Sequence, residues 1–237
     1  MRLQCCVNGS RDVEEHPGVA RTPRECAEQA ARAVQAGAVD LHVHPRTADG
    51  RDSLAADDVA TWVGAVRERV DVPVGVTTGA WAWTGCRSAV AAIADWQVLP
   101  DHASVNWHEP QAEPVCEALH TRGIAINAGL WTAADAERWL ASPWREHTAL
   151  VLLELADLPD QEEAAVQLLE LVAPSGVPVL MHGEGRSTWP IIDLAVARGV
   201  ASRIGLEDVL EGPDGELVAD NAALVGLALR RGARTPY

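Results

Sequence analysis

The feature that most constrains this chain is a regular alternation of short apolar segments with longer helical segments. Eight such pairs occupy the 237 residues. The apolar segments are five or six residues long, as strands are, and each helical segment follows a Gly, Pro, Ser or Thr turn. The predicted strands cover residues 3–8, 39–43, 72–76, 102–106, 123–127, 149–154, 177–181 and 202–206. The predicted helices cover residues 23–35, 54–70, 87–95, 114–122, 132–140, 161–172, 189–198 and 217–231.

This alternation predicts an α/β fold with a parallel sheet, because parallel strands need a crossover helix between them. Eight units favour a closed (β/α)8 TIM barrel, which we expect to form a single domain over residues 1–237. The alternative is an open, doubly wound sheet. No Gly-x-Gly-x-x-Gly motif follows the first strand, so a dinucleotide site of that fold has no support.

Charge and cysteine content narrow the classes of partner. The formal charge is -15, and such an acidic chain repels phosphate backbones and anionic membranes. No apolar run approaches the ~20 residues of a membrane span, and the first residues lack the apolar core of a signal peptide. The cysteines are odd in number and form no Cys-x-x-Cys pair, which suits a reducing compartment. We therefore expect a cytoplasmic protein that binds neither nucleic acid nor membranes.

Polar residues follow the predicted strands. Active sites of parallel barrels lie at the carboxyl ends of the strands. A single polar residue there is commonly a solvated loop residue, but this concentration of His, Glu, Asp and Arg exceeds what barrel stability requires. The residues are Asn8, Arg11, His42, His44, Arg46, Thr77, Thr78, Asn106, His108, Glu109, Asn127, Glu154, His182, Glu184, Arg186, Glu207 and Asp208.

His42 and His44 are candidate metal ligands. Alternate residues of a strand point the same way, so both imidazoles project from one face. Two imidazoles are half of a metal site, and Glu207 is a candidate third ligand that leaves positions open for water or substrate. Alternatively, the histidines are polar strand residues satisfied by their neighbours.

Asp208, next to Glu207, is a candidate general base. Adjacent carboxylates at a strand end point in different directions and so can take different roles. Arg203 is close enough in sequence to tune the acidity of Asp208. The competing interpretation is an acidic loop that serves a helix N-terminus.

The loop after the seventh strand, residues 182–186, is a candidate anion-binding loop. Its glycines let the backbone pass close to a ligand, and Arg186 can hold a carboxylate or phosphate through two parallel hydrogen bonds. A flexible loop with a surface arginine is the alternative.

Several stretches together, in this order, resemble one family, the β-keto acid cleavage enzymes related to 3-keto-5-aminohexanoate cleavage enzyme. The resemblance spans nearly the whole chain, and its most specific parts are His-x-His-x-Arg and Arg-x-Gly-x-Glu-Asp. The stretches are residues 8–11, 36–38, 42–46 with 49–51, 77–79, 103–106, 183–186, and 203–208 with 221–225.

The resemblance implies a zinc-bearing barrel that forms homo-oligomers, with a tetramer suggested. It implies that a β-keto acid and acetyl-CoA react by retro-Claisen cleavage to give acetoacetate and a new acyl-CoA. Carried over by position, the resemblance assigns His42, His44 and Glu207 as zinc ligands. It assigns Asp208 as the catalytic base with Arg203 as its partner, and Thr77 as the counterpart of the family's catalytic serine. For substrate binding we assign Asn8, Arg11, Arg46, Asn106 and Arg186.

Two departures from the family concern the second substrate. Glu109 replaces a hydroxyl that assists the CoA half-reaction, and Glu154-Leu-Ala-Asp157 replaces a glycine-rich loop. Carboxylates there repel an anionic thioester or favour a cationic group. The alternatives to the acyltransferase are a CoA-independent metal-dependent hydrolase or lyase, in which Glu109 or Glu154 activates water, and a non-catalytic barrel that binds metal or a metabolite.

Overall fold

Eight parallel strands close into a barrel in chain order, with each strand hydrogen-bonded to its sequence neighbours and the last paired with the first. The computed structural model describes residues 3–84, 86–159 and 161–233, so both ends of the predicted domain lie outside the described residues. The strands are β1 Leu3–Cys6, β2 Asp40–Val43, β3 Val74–Thr77, β4 His102–Asn106, β5 Ala125–Leu130, β6 Thr148–Leu155, β7 Val179–Gly183 and β8 Ala201–Ile204.

A helix follows each strand, which confirms the (β/α)8 barrel and excludes the open sheet. The helices are α1 Pro23–Ala36, α2 Ala56–Arg67, α3 Ala89–Asp95, α4 Ala112–Thr121, α5 Ala133–Ala141, α6 Gln161–Val172, α7 Thr188–Arg198 and α8 Asn221–Arg230. Short 3-10 turns occur at Ala80–Ala82, Pro143–His147, Ala173–Ser175 and Gly185–Ser187.

Helix α1 shows how local sequence sets these boundaries. The Thr22 hydroxyl accepts a hydrogen bond from the Glu25 amide, and Pro23 occupies the first helical position, where its missing N–H costs nothing. Gly37 ends the helix with a φ of 117°, which a residue with a Cβ rarely adopts. The predicted start and stop of this helix are therefore confirmed.

Several strands begin later than the sequence predicts. Proline has no N–H to donate, so β3 and β7 begin after Pro73 and Pro178, whose carbonyls accept hydrogen bonds from Leu41 and Val151. Gly123 lies outside β5, in a turn with a φ of 71° that ends the preceding helix. Strand β5 therefore begins two residues later than predicted and extends to Leu130.

The start of helix α8 was predicted four residues too early, at Leu217. The Leu217 backbone instead pairs with Glu211 across a turn that contains Gly215, which has a φ of 80°. The helix begins at Asn221 because the Asp220 carboxylate caps it, accepting from the Ala223 amide.

The core lies between the barrel and its helices, where Trp96, Trp107 and Trp139 are fully buried. Burying such side chains supplies most of the driving force for folding. Among the residues that the structure describes, no helix combines the length and apolar character that crossing a membrane requires.

A layer of buried polar side chains, which the sequence pattern does not predict, lies inside the barrel. Asp40 accepts from the Gln4 amide at 3.0 Å, and its other carboxylate oxygen lies 2.8 Å from Nε2 of His102. The second nitrogen of His102 lies 3.0 Å from the Asn127 amide nitrogen. These mutual hydrogen bonds satisfy groups that would otherwise be costly to bury.

Candidate metal centre and active site

A cavity of about 910 Å³ opens at the carboxyl ends of the strands. It is the place where parallel barrels carry their active sites, because the strands converge there and the loops can vary. Its inner wall includes the predicted metal ligands and base. The inner wall residues are His42, His44, Thr77, Ser104, Asn106, Glu154, Arg203, Glu207 and Asp208.

His42, His44 and Glu207 form a compact ligand group. One ligand atom of each lies within 4.8 Å of the corresponding atoms of the other two. His42 is in β2 and His44 just beyond its end, so the two rings share a face, with centroids 5.2 Å apart. Glu207 comes from the loop after β8, which is six strands after β2 in the chain, but only β1 lies between β8 and β2 in the closed barrel. The predicted clustering of these three residues is confirmed.

Asp52 fixes the orientation of His44. Its carboxylate lies 2.8 Å from Nδ1 of His44 and accepts a hydrogen bond from the Trp81 indole at 3.1 Å. That contact leaves Nε2 of His44 facing Glu207, with 3.6 Å between Nε2 and Oε1. Histidines that bind metals are commonly held by a carboxylate in this way.

Glu207 is held so that one oxygen remains available. Arg203 donates to Oε1 at 2.8 Å, and Arg11 donates to the Glu207 carbonyl at 2.9 Å. The second oxygen, Oε2, is buried and has no hydrogen-bond partner among the described residues. Glycine is needed beside it, since a Cβ at Gly9 would lie 2.2 Å from the Glu207 Cγ. A buried, unpaired carboxylate oxygen beside two imidazoles fits a bound divalent cation.

The ionisation of His42 and Glu207 suits the same role, whereas the acidic neighbours of His44 favour its protonated form. Burial lowers the pKa of His42 well below its usual value, with the charges of His44 and Arg203 adding to the effect. Burial also opposes charge on His44, but Glu207 and the hydrogen bond to Asp52 outweigh it and raise the pKa of His44. The pKa of Glu207 is lowered despite its burial, because Arg203 and His44 favour the carboxylate. A neutral His42 and an ionised Glu207 are the forms that bind metal.

Asp208 is fully buried, and of its two carboxylate oxygens one is hydrogen-bonded to Arg203. Its Oδ1 accepts from Nε and an Nη of Arg203, at 3.1 and 2.8 Å. Its Oδ2 has no hydrogen-bond partner within the described part of the chain. The paired carboxylates raise the pKa of Arg203 well above its usual value against the opposing effect of burial. Arg203 therefore stays charged and fixes the Asp208 carboxylate, with one oxygen left for another contact.

Thr77 lies at the end of β3 and lines the cavity. Its hydroxyl oxygen accepts from the Gly79 amide at 3.1 Å, which leaves the hydroxyl hydrogen free to donate into the cavity. Its role as the counterpart of a catalytic serine stays a prediction.

Two residues assigned to substrate binding, Asn8 and Arg46, do not line the cavity. The Asn8 amide exchanges two hydrogen bonds with the His44 backbone, at 2.8 and 3.0 Å. Arg46 is buried and donates to the carbonyls of Gly9 and Arg11, at 2.8 and 2.6 Å. Both side chains hold the strand that carries the two histidines against the first loop, which sequence spacing does not reveal.

The other two arginines of that assignment line the cavity but already have partners. Arg11 donates to Glu15 at 2.7 Å as well as to the backbone after β8. Arg186 is exposed and pairs with Asp157 through its side chain at 3.0 Å and its backbone amide at 2.9 Å. Whether either contacts a substrate stays a prediction.

Glu109 and Asn106 form a pair at the edge of the site. One carboxylate oxygen of Glu109 accepts from the Asn106 amide and from the Ala80 backbone, both at 3.1 Å. Asn106 lines the cavity and Glu109 does not. Glu109 therefore positions Asn106 from outside the cavity lining, and its catalytic role stays a prediction.

Sequence reasoning missed Asp52 and Trp81. Asp52 follows His44 by eight residues in an irregular loop, and no motif spacing marks it. Trp81 is half exposed at the cavity rim and its ring stacks on His44, with centroids 6.4 Å apart. Tryptophan at a turn after a strand carries no signal of its own, so only the structure identifies these two supports.

The family comparison agrees with this geometry. A family model described as beta-keto acid cleavage enzyme matches residues 1–234. No protein with a curated description matches the chain.

Solved structures resemble the chain in fold. Tryptophan synthase subunit alpha from Legionella pneumophila str. Paris gives a TM-score of 0.62 at 14% identity, over 97% of this chain and 92% of that one. The 3-dehydroquinate dehydratase from Geobacillus kaustophilus HTA426 gives 0.59 at 12% identity, over 98% and 92%. The dihydropteroate synthase of Yersinia pestis gives 0.57 at 14% identity, over 98% and 93%. At such low identities these structures support the barrel fold alone.

Proposed function

The chain belongs to the beta-keto acid cleavage enzyme family, and we propose that it cleaves the carbon–carbon bond of a β-keto acid with zinc held by His42, His44 and Glu207. The observation that carries this proposal is the ligand group itself, whose atoms lie within 4.8 Å of one another around an unpaired oxygen of Glu207. A bound zinc ion would supply a Lewis acid that polarises the ketone and carboxylate oxygens of the substrate.

Asp208 serves as the general base in this proposal. A carbon between two carbonyl groups is acidic, and a carboxylate placed beside it can remove its proton. The unpaired Oδ2 of Asp208 is available for that step, while Arg203 holds Oδ1 and so fixes the direction of approach. Thr77 donates its free hydroxyl hydrogen to the oxygen on which negative charge develops.

Acetyl-CoA is the co-substrate that the family resemblance implies. In the transferase reaction, the two acyl groups exchange partners to give acetoacetate and a new acyl-CoA. This part of the proposal rests on family membership, and the residues that replace the family's small polar groups, Glu109 and Glu154, work against an anionic thioester.

A CoA-independent hydrolysis is the second candidate, and the charge of the cavity mouth favours it. Glu15, Asp157, Glu184 and Glu211 all line the cavity. Three arginines line the cavity, Arg11, Arg186 and Arg203, and each forms an ion pair with a carboxylate. Among the described lining residues, no arginine is therefore left unpaired to bind the diphosphate of CoA. The chain has no lysine.

One assay tests both candidates. Zinc-loaded protein is incubated with a panel of β-keto acids, with and without acetyl-CoA, and the products are followed by NMR and by mass spectrometry of the acyl-CoA species. Turnover that requires acetyl-CoA and yields acetoacetate supports the transferase. Equal turnover without acetyl-CoA supports the hydrolase and rejects the transferase. No consumption of any β-keto acid under either condition contradicts both.

A further inference from the structure

Trp81 is an exposed aromatic side chain that lines the cavity beside a candidate metal ligand. It lies in the 3-10 turn after β3, and the residue is 51% exposed. A single apolar side chain on an open surface is ordinary, but one at a cavity wall can be covered by whatever the cavity binds. The open part of the indole is therefore a surface that a ligand can bury.

Three contacts hold the indole ring of Trp81 in place. Its Nε1 donates to Oδ2 of Asp52 at 3.1 Å, and its ring stacks on that of His44 with an interplanar angle of 24°. A Cβ at Gly79 would lie 2.3 Å from the six-membered part of the indole, so the ring packs directly on that backbone. Because the ring is already immobilised, a ligand that covers its open part loses little affinity to side-chain ordering.

Two other apolar residues of the cavity loops show that neither packing nor exposure alone explains Trp81. Trp83 lies in the same loop, donates to the Thr78 carbonyl at 3.3 Å and does not line the cavity. Leu158, in the loop after β6, is 54% exposed and is also outside the cavity lining. Trp81 differs from both because its exposed surface faces the space where a substrate would bind.

We propose that Trp81 is a specificity-determining residue whose exposed indole face binds the apolar chain on the ketone carbon of the β-keto acid. The proposal rests on the proposed function, which places that ketone at His42 and His44. Since the indole stacks on His44, a substrate held at the two histidines brings its chain to the same wall. An aromatic face binds an alkyl chain through dispersion and through the apolar area removed from water.

The distribution of charge favours an apolar chain over a cationic one at Trp81. The carboxylates at the cavity mouth that follow β6, β7 and β8 are Asp157, Glu184 and Glu211, whereas Trp81 follows β3 on the other side of the closed barrel. Glu109, which follows β4, does not line the cavity, and its Oε1 accepts hydrogen bonds from two amides. A cationic group would be drawn toward the carboxylates and away from the indole.

Binding of unreactive analogues tests this wall without turnover. The probes are 3-hydroxypentanoate and 3-hydroxyoctanoate, in which a hydroxyl replaces the ketone and prevents retro-Claisen cleavage. Calorimetry with zinc-loaded protein gives their dissociation constants. We expect the wild type to bind the octanoate at least about 10-fold more tightly, and Trp81→Ala to bind the two acids within about 3-fold of each other. A third probe, 8-amino-3-hydroxyoctanoate, should bind the wild type less tightly than 3-hydroxyoctanoate.

A conservative variant separates the indole face from its hydrogen bond. Trp81→Phe keeps an aromatic face but cannot donate to Asp52, so it should keep the chain-length preference within about 3-fold of wild type. The matched control is Leu158→Ala, which removes a similarly exposed apolar side chain outside the cavity lining and should bind both acids as the wild type does. Zinc content is measured for every variant, and the comparison is made at full occupancy.

Four results would overturn the assignment. They are a wild type with no chain-length preference, a Trp81→Ala variant that keeps the preference, an equal loss in Trp81→Phe or Leu158→Ala, and tighter binding of the ammonium probe. Loss of the preference in Trp81→Ala with its retention in Trp81→Phe supports the indole face as the binding wall.

Turnover of 3-oxopentanoate and 3-oxooctanoate, with and without acetyl-CoA, identifies failure of the proposed function separately. If the wild type cleaves neither acid, the proposed function fails, while the binding result still decides the role of Trp81. If both are cleaved, Trp81→Ala should raise KM for the longer acid and leave kcat nearly unchanged, because it removes binding that substrate and transition state share. An unchanged KM there removes Trp81 from specificity and leaves the proposed function standing.

Discussion

The two sides of the cavity differ in how completely their polar groups are paired. On the metal side, formed by β2, β8 and their loops, Asp52 orients His44 and Arg203 orients both Glu207 and Asp208. On the acceptor side, formed by β4 to β7, the ion pair that the described residues give the cavity-facing carboxylate of Glu154 is with His182, at 3.5 Å.

The difference indicates which half of the chemistry this chain shares with its family. The metal side carries the two most specific of the stretches that resemble the family, His-x-His-x-Arg and Arg-x-Gly-x-Glu-Asp, and its three candidate ligands lie within 4.8 Å of one another. The acceptor side carries Glu109 and Glu154, at positions where the resemblance led us to expect a hydroxyl and a glycine-rich loop. We infer that binding and deprotonation of the β-keto acid follow the family pattern, and that the divergence concerns what receives the acyl group.

We expect the largest effect from removing a candidate zinc ligand on the metal side. His42→Ala removes one of three ligands, and we expect bound zinc and β-keto acid cleavage to fall to background. Zinc is measured by atomic emission on protein dialysed against zinc-free buffer. His108→Ala, which removes an exposed histidine on the cavity rim, is the matched control and should retain zinc. Stoichiometric zinc in His42→Ala would show that the ligand assignment is wrong.

The next effect separates metal binding from proton removal. Asp208→Asn keeps the size of the side chain but removes the base, so turnover should fall about 10²- to 10⁴-fold with zinc content unchanged. Steady-state kinetics and zinc analysis on the same preparation measure both. Turnover near the wild-type rate would exclude Asp208 from the mechanism.

We expect a smaller effect on zinc affinity from changing Asp52, the residue that orients His44. Asp52→Asn weakens the contact that orients His44, and we expect zinc affinity to fall about 10- to 100-fold, as measured by competition with a chelator. Asp49→Asn is the matched control, because Asp49 is exposed in the same loop and contacts Thr47 and Arg51 instead. Equal affinity in the two variants would reject the role of Asp52.

We expect the smallest effect on the free energy of unfolding, which should depend on pH through His182 on the acceptor side. Burial and Arg203 oppose charge on His182, but Asp208 and Glu154 outweigh them and raise its pKa to about 9. The folded state therefore holds a proton that the unfolded chain releases near pH 6.5. The resulting stabilisation is complete below that pH and is lost as the pH rises through about 9.

Urea unfolding at pH 6, 8 and 10 measures this effect. The difference in unfolding free energy between wild type and His182→Asn should shrink with increasing pH, since only the wild type carries the titrating ring. A difference that stays constant or grows would contradict a protonated His182 between the two carboxylates.

Local sequence accounts for the fold and for most of the metal side. Apolar segments that alternate with capped helices set the barrel, and Thr22 and Gly37 show that helix ends follow from single residues. The His-x-His spacing sets a shared face because strand geometry repeats every two residues. The errors fell where a backbone choice depends on the neighbouring strand or loop, as at Pro73 and Leu217.

The sequence by itself determined the eightfold repeat, the two histidines and the carboxylate that can join them, since these depend on pattern and on family-like stretches. Tertiary structure alone decided what each side chain contacts. Asn8 and Arg46 bind the backbone, Asp52 reaches His44, and His182 lies between Glu154 and Asp208. Such contacts join residues far apart in the chain, and they form only because closing the barrel brings the ends of all eight strands to one rim.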